Sequence, residues 1–428
     1  MNYQQFLDYV YQRHSGNVKL GLDRMLSILK EMGNPNLKMQ GFHVAGTNGK
    51  GSTSAMLEAL CRAYELTTGL NTSPHLVDYR ERIRVNKNDI KLEQLIALYK
   101  KWEDVFENNE ASFFEITTAM AFSHFYEEKV DTAVFEVGLG GRLDGTNPFK
   151  SSVGIITSVS YDHTKSLGSE LSQIAYEKAG IIKENTPFVV GKMDEEARDV
   201  VLRIAEERNA PILLFDRDFK IENIHTDAEG THFDYISDDV TIKQINTNLI
   251  GVHQASNAAL AITAFITYLK QRDIVLNEEL IRKALNNVIW QGRMQMIGRE
   301  PYTFLDGAHN EEGVESLVQT IKQLFPDKKI IIVLAILRDK NLENIIKNIC
   351  SISDKIFISK NQSTRAAELT EQADYVEKAG GNYEIIENVV DAFKQARKDA
   401  NVDDVIIISG SLYTISEILK EKENLDLI

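Results

Sequence analysis

At 428 residues, 43% hydrophobic and 8% aromatic, the chain is long enough for two or three globular domains and too apolar for disorder. Its 48 Lys and Arg against 63 Asp and Glu give a net charge of −15, which argues against a protein that wraps nucleic acid or coats anionic lipid but not against a local basic pocket. The two cysteines, Cys61 and Cys350, are far apart, so neither a disulfide framework nor a CxxC metal site is expected. No apolar run approaches the ~20 residues of a membrane span, and the start MNYQQFLDYVYQRH is polar, so no signal peptide, anchor or membrane partner is expected and the setting is a reducing cytoplasm.

In chain order, short β-branched runs predict strands at residues 42–45, 68–71, 132–137, 153–158, 188–191 and 212–215. Between them, helical patterns fall at 50–64, 92–108, 113–127, 171–179 and 195–209. The pattern is that of an α/β domain with a mainly parallel sheet. The stretch 113–126 is apolar on nearly every side and predicts a buried helix. Residues 219–246 change to alternating runs with Asp-rich turns, which predicts antiparallel hairpins, followed by helices at 254–270 and 277–286. A second α/β pattern starts near residue 302, with strands at 302–305, 330–334, 355–358 and 405–409, and predicts a smaller Rossmann-like domain. The Gly-Arg-Glu-Pro segment within 297–301 is the expected boundary, giving domains 1–297 and 298–428.

The strongest local signal is Gly46-Thr47-Asn48-Gly49-Lys50-Gly51-Ser52, between a predicted strand and a predicted helix. Glycines turn backbone amides toward an anion, the helix N-terminus adds partial positive charge, and a lysine such as Lys50 reaches the β- and γ-phosphates. The match to the general P-loop pattern is imperfect: Val44 stands at the first glycine and Gly51 where a hydroxyl residue follows the lysine.

Glu136 ends a predicted strand just before a glycine-rich loop, where open α/β sheets place ligand and metal groups, although a strand-end glutamate can simply be solvated. His163 follows the next strand, and by itself a loop histidine is equally a surface residue or cap, with Asp162 a candidate N-cap. Lys50, Glu136 and His163 all fall past the carboxyl ends of strands. Arg80, Arg82 and Arg84 alternate and would share one strand face, an electrostatic seat for an anion or a solvated edge. In the second half, Asp306-Gly307-Ala308-His309-Asn310 sits at a strand end, with Asn310 a candidate N-cap and Asp306 a candidate ribose or reacting-group contact.

Together these blocks resemble the Mur-ligase superfamily and, within it, the folylpolyglutamate synthase and dihydrofolate synthase family. The resemblance runs nearly the whole chain: GTNGKGS at 46–52, TSPHL at 72–76, ERIRVN at 81–86, EVGLGGRLDGTN at 136–147, DHT at 162–164, EKAGIIK at 177–183, HQASNAALA at 253–261, GRM at 292–294 and DGAHN at 306–310. The same glycine between lysine and serine occurs in the family's phosphate loop, which accounts for the P-loop mismatch. The implied fold is an N-terminal P-loop ATPase domain with a mainly parallel sheet and a small antiparallel section, plus a smaller C-terminal Rossmann-like domain that binds glutamate. The implied activity is ATP-dependent addition of L-glutamate to tetrahydrofolate-type folates, and also to dihydropteroate, through an acyl phosphate.

The resemblance also implies site roles. Gly46 to Ser52 would wrap ATP, and Ser73, Glu136 and His163 would hold Mg²⁺, with or without a further monovalent cation. Lys178 matches a position that is carbamylated in the family, as N6-carboxylysine. From the other domain, Asn257, Arg293 and Asp306 match nucleotide contacts and His309 lies near the glutamate site. Lys50, Glu136, His163, Lys178 and His309 form the implied catalytic set. Ser112, Phe113, Phe114, Glu115, Leu143, Asp144 and Gly145 match pterin-holding segments, with Arg82 beside them as a substrate contact. At Gly145 the family commonly carries alanine. A monomer is expected. The competing expectations are a cell-wall amino-acid ligase, which would share the chemistry and differ in substrate, and a nucleotide-binding switch, which would leave Glu136, His163 and Lys178 without a purpose.

Overall fold

The structure, a computed structural model, describes residues 1–13 and 21–427. The chain begins with α1 (Tyr3–Gln12) and α2 (Asp23–Glu31), followed by β1 (Gly41–Ala45), α3 (Lys50–Ala63), β2 (Thr68–Asn71), β3 (Ile83–Val85) and β4 (Asn88–Asp89). Next come α4 (Leu92–Asn108), α5 (Phe113–Glu127), β5 (Thr132–Glu136), β6 (Val153–Ile156), α6 (Thr164–Leu167), α7 (Leu171–Ala179), β7 (Phe188–Val190), α8 (Glu195–Glu207) and β8 (Ile212–Leu214). These strands form one sheet in the order β4-β3-β2-β5-β1-β6-β7-β8. From β2 to β8 all pairings are parallel; β3 and β4 are added antiparallel at one edge.

Every residue of β1, β5 and β6 is buried, as befits central parallel strands covered by helices on both faces. On one side lie α1, α4 and α5. As its sequence predicts, α5 is buried on nearly all sides, with Ile116, Ala119, Met120, Phe122 and Phe125 in the core. The ring of Phe135 in β5 lies 4.3 Å from Phe122 and 4.8 Å from Phe149, centroid to centroid. Further along the same face α7 and α8 close over β6 and β7 through Ile174, Ile181, Val201 and Phe188, while the right-handed crossover from β1 to β2 puts α3 on the opposite face. Register places Val44 of β1 opposite Glu136 of β5 and Ile155 of β6. The loops leaving β1, β5 and β6 therefore start at one edge of the sheet.

The expected hairpins are β9 (Phe219–Asp227), β10 (Gly230–Ser237) and β11 (Thr241–Thr247), ordered β11-β10-β9; connections this short join only antiparallel neighbours. After α9 (Val252–Gln271) and α10 (Glu278–Asn286), the chain forms β12 (Gln295–Arg299), β13 (Tyr302–Leu305), α11 (Glu311–Leu324), β14 (Ile330–Leu334), α12 (Leu342–Cys350) and β15 (Lys355–Ile358). It ends with α13 (Leu369–Lys378), β16 (Tyr383–Ile385), α14 (Val389–Asp399), β17 (Val405–Ser409) and α15 (Leu412–Lys420). The second sheet runs β12-β13-β17-β14-β15-β16 and is parallel except for β12. Its core is aliphatic, with Ile330, Ile332, Leu334, Ile345, Ile356, Val405 and Ile407.

Two compact units result. One comprises Met1–Asn223, Phe233–Asn246 and Ser256–Val288; the other comprises Ile224–His232, Thr247–Ala255 and Ile289–Ile428. The segment 297–301, expected as a linker, instead ends β12 and turns into β13, because Arg299 pairs with Tyr302. No helix among the described residues is long and apolar enough to cross a membrane.

Phe135→Ala deletes the ring shared by Phe122 and Phe149 and is expected to destabilise the first unit by about 3–5 kcal/mol. The urea midpoint of unfolding checks this; a loss under about 1 kcal/mol would remove the packing role given to the ring.

Candidate active site

After Ala45 the chain turns through residues 46–49 into α3. Gly46 and Gly49 have φ of +150° and +84°. A Cβ on either would lie 1.9 Å from Thr157 Oγ1 or 2.3 Å from Asn257 Oδ1, so only glycine closes this turn. The loop after β6 braces it: Thr47 N donates to Ser158 O (2.9 Å), Asn48 N to Ser158 Oγ (3.1 Å), and Thr157 Oγ1 to Asn48 O (2.5 Å). The first turn of α3, whose first intrahelical bond is Thr53 N to Gly49 O (2.9 Å), points its backbone N–H groups and positive dipole end out of this loop. That arrangement receives anions. Asn257, expected from the other domain, belongs to the same compact unit as Gly49 and sets its side-chain oxygen beside the Gly49 backbone.

Lys50 Nζ donates to Gly46 O and Thr47 O, both at 3.0 Å. Lys178, on α7 and only 4% exposed, donates to the same Gly46 O at 2.9 Å. Burial, reinforced by the nearby Lys50 charge and opposed by Asp162, lowers the Lys178 pKa from 10.5 to about 7. The neutral amine, which carries a nucleophilic lone pair, is therefore far more accessible near neutral pH than for an ordinary lysine.

Glu136, at the end of β5 and 5% exposed, accepts from Ser73 N at 3.0 Å. A buried carboxylate beside a serine is the hard-oxygen chemistry that Mg²⁺ selects. His163 sits on the loop after β6 with a left-handed φ of +51° and a half-exposed ring. Its N–H donates to Asp162 Oδ1 (2.8 Å) and its Nε2 lies 3.9 Å from Asp162 Oδ2. Asp162 thus ties down the backbone of His163, and it is His163 that occupies the N-cap position of α6. No group of three or more His, Cys, Asp and Glu suited to a metal occurs among the described residues.

The Asp144 carboxylate holds together the loop that follows Glu136. It is buried and accepts from Gly138 N (3.0 Å), Leu139 N (2.9 Å), Thr146 N (2.9 Å) and Thr146 Oγ1 (2.5 Å). Burial pushes its pKa up while these donors hold it down. Leu143 and Gly145 lie in this turn, and the Phe114 ring packs against it: a Cβ on Gly145 would come within 3.3 Å of Phe114 Cδ1. Ser112 and Glu115 cap α5 reciprocally, and Arg24 Nε donates to both Glu115 oxygens (2.9 and 2.8 Å). Their polar atoms serve the start of the helix, and through it the orientation of Phe113 and Phe114.

The expected three-arginine strand face does not form. Residues Tyr79–Arg82 make a 3-10 turn capped by Asp78, and β3 begins only at Ile83. Arg80 pairs with Asp78 (2.9 Å) and Arg84 with Asp89 (2.7 Å). Buried Arg82 turns the other way: its guanidinium lies 5.0 Å over the Phe113 ring and its Nε donates to His75 Nδ1 (2.7 Å). His75 therefore carries its proton on Nε2, 3.2 Å from the Tyr11 hydroxyl, and Tyr11 stacks on Phe113 (5.5 Å).

In the second unit, Asp306 directly follows β13 and accepts from Met294 N and Ala308 N, both at 2.8 Å. Burial raises its pKa and the Arg293 charge opposes the rise. His309 Nδ1 lies 2.8 Å from Gly307 O, which fixes the proton on Nδ1 because a carbonyl only accepts. Asn310 is the N-cap of α11, accepting from Gly313 N at 2.9 Å.

Sequence reasoning missed Thr157 and Ser158, the hydroxyls that shape the glycine loop, and His75 and Tyr11 around Arg82. Small hydroxyl residues at the end of a predicted strand neighbouring a glycine loop were the available signal for the first pair. The second pair carried none, since it meets only through the fold.

Residues 44–265 match the Mur ligase middle domain family and residues 292–412 the Mur ligase glutamate ligase domain family. The chain is similar to the dihydrofolate synthase/folylpolyglutamate synthase of Bacillus subtilis (strain 168), at 37% identity over 425 residues covering 98% of each chain. Among solved structures it resembles Mycobacterium tuberculosis folylpolyglutamate synthase complexed with ADP and AMPPCP, with TM-score 0.90, 30% identity and 98% of each chain covered. It also resembles E. coli FolC in complex with DHPP and ADP, with TM-score 0.91, 27% identity and coverage of 100% of this chain and 99% of the other.

Lys178 titrates near pH 7 folded and near its ordinary 10.5 unfolded, so between these limits the unfolded chain binds more protons and folded stability rises with pH. Lys178→Met removes this contribution. The variant is expected to gain most over wild type in urea midpoint at pH 6–7, an advantage that shrinks as pH rises toward 10. A pH-independent difference would contradict the depressed pKa.

Proposed function

The chain belongs to the folylpolyglutamate synthase/dihydrofolate synthase family of Mur ligases, and from that premise we propose that it uses ATP to join L-glutamate to the carboxylate of a folate, and also to dihydropteroate. The observation that carries the reading is the braced loop at Gly46, where two lysines meet at the mouth of a helix N-terminus. Residues 1–297 form the ATP-binding domain in this reading, and residues 298–428 the glutamate-binding domain.

Forming an amide from a carboxylate at neutral pH requires a better leaving group than oxide. The folate carboxylate attacks the γ-phosphorus of ATP, ADP departs, and an acyl phosphate results. The amine of L-glutamate then adds to that carbonyl, and phosphate leaves. Carboxylate and triphosphate repel, so the first step depends on neutralising charge and on in-line placement. The amides of Gly49 to Ser52 and the Lys50 ammonium receive the phosphates. Arg293, Asp306 and Asn257 are nucleotide contacts, and His309 serves the glutamate side. Phe113, Phe114, Leu143 and Gly145 line the pterin pocket, with Arg82 at its edge and Ser112, Glu115 and Asp144 fixing its walls.

Glu136 and Ser73, already joined, would hold Mg²⁺ with His163 completing the set. The ion, when bound, neutralises phosphate charge. Lys178 is a carbamate in the working enzyme: its neutral amine adds CO₂, forming an N–C bond and releasing one proton. The product converts a pair of like charges at Gly46 O into a pair of opposite ones, which favours it beside Lys50.

Lys50→Ala and Glu136→Ala are expected to abolish glutamate-dependent ADP release, while Cys61→Ala, at a buried thiol away from the loop, keeps activity within about twofold. Wild-type turnover by the Lys50 variant would sink the assignment. Running the assay with tetrahydrofolate, dihydropteroate and a muramyl peptide as acceptors separates folate from cell-wall chemistry. Intact-protein mass at saturating bicarbonate, with and without Lys178→Met, checks the carbamate; active enzyme with a free amine at Lys178 would remove it.

A further inference from the structure

We propose that His43, a histidine in the middle of β1, is a positioning residue for the folate acceptor: through Thr146 and Asp144 it fixes the turn on which Phe114 rests. The inference rests on the reading that Phe114, Leu143 and Gly145 line the folate pocket.

His43 is fully buried, its ring edge-on to Phe149 at 6.2 Å. Its Nε2 lies 2.8 Å from Thr146 Oγ1. That hydroxyl has one proton, and it lies 2.5 Å from Asp144 Oδ1. Three backbone N–H groups also point at the Asp144 carboxylate, which therefore acts as an acceptor and takes the hydroxyl proton. The Thr146 oxygen can then only accept from the ring, so Nε2–H donates to it. His43 is neutral, because burial and the neighbouring Lys183 charge hold its pKa well below the ordinary value. Lys183 is itself held by Asn147 O (2.6 Å) and Asn147 Oδ1 (2.5 Å), in the same turn.

This leaves Nδ1 as a buried acceptor with no partner, which is costly for folding. An aliphatic side chain of similar volume would avoid that cost, so core packing alone does not account for an imidazole here. What the ring supplies is directional: with its lone pair engaged by Nε2–H, the Thr146 hydroxyl is aimed at Asp144. Asp144 in turn holds Gly138 N and Leu139 N. The backbones of Gly138 and Gly145 form the surface under Phe114; a Cβ at Gly138 would come within 2.6 Å of its ring. A line of hydrogen bonds thus runs from the strand that carries the phosphate loop to the floor of the pocket.

The test is steady-state kinetics of full-length His43→Leu, Thr146→Val, Thr146→Ser and the double variant His43→Leu/Thr146→Val, with tetrahydrofolate, ATP and glutamate varied in turn. His43→Leu and Thr146→Val should each raise KM for tetrahydrofolate roughly tenfold, the scale of one lost buried hydrogen bond, with KM for ATP unchanged. Thr146→Ser, which keeps the hydroxyl, should behave as wild type, and the double variant should be no worse than Thr146→Val. An unchanged folate KM, equal increases for ATP and folate, or additive effects in the double variant would overturn the proposal. Should His43→Leu fail to fold, the Thr146→Val and Thr146→Ser pair decides it: equal damage from both would mean a packing role. A wild-type enzyme that adds no glutamate to any folate would defeat the functional reading itself, whatever the variants do.

Discussion

The carbonyl oxygen of Gly46 receives two ammonium groups, one from the first turn of α3 and one from the buried face of α7. Two full positive charges around a single acceptor repel strongly where water is excluded. Lys178 resolves the conflict by giving up its proton readily, its pKa falling to about 7. The constraint reaches outward from there. Gly46 holds its carbonyl toward both lysines at φ +150°, and the Thr157 hydroxyl occupies the space a Cβ would need, so the position takes only glycine. The constraint also couples the phosphate loop to α7, whose hydrophobic face seats on β6 and β7.

Buried and half-buried carboxylates recur as templates for the loops around this point. Asp144 gathers the amides of Gly138, Leu139 and Thr146; Glu81 gathers those of Leu76, Val77 and Asp78; Glu136 takes that of Ser73. In the second unit Asp306 does the same for Met294 and Ala308. A loop leaving a parallel strand has backbone N–H groups that no ladder satisfies, and a carboxylate accepts several at once. The same residues look like ligand contacts in sequence, because both roles place an acid just after a strand. Glu136 stands at the very end of β5, where it takes the Ser73 amide at 3.0 Å.

The alternation of elements was legible because parallel strands buried on both faces are continuous apolar runs and the helices between them carry 3.6-residue periodicity. The buried character of α5 followed from Phe113 to Phe125 having no polar stripe. The strand-to-helix turn at Gly46 and the strand-end position of Glu136 were legible because both are set by neighbours in sequence. Arg80 to Arg84 misled because alternation in sequence was read as a strand, whereas the Asp78 cap and the backbone bonds to Glu81 pull the segment into a 3-10 turn and send Arg82 toward Phe113. His43 was silent for the opposite reason. One polar residue inside a strand has no sequence pattern, and its meaning depends on Thr146, which lies 103 positions away in the chain.

The net charge of −15 opposes the approach of ATP, glutamate and polyglutamyl folate, all of them anions. Its reach is short, since surface charges more than about 8 Å apart are largely screened at physiological ionic strength. What acts on a phosphate at the loop is the set of groups in contact with it, and there the balance is reversed: a half-buried helix N-terminus and Lys50. Carbamylation of Lys178 would subtract from that positive field just where it is densest. The change is therefore favourable only if the field exceeds what the phosphates need, or if a cation held by Glu136 and Ser73 restores it. In the proposed arrangement the carbamate and the cation therefore compensate each other, the cation restoring the positive charge that carbamylation removes.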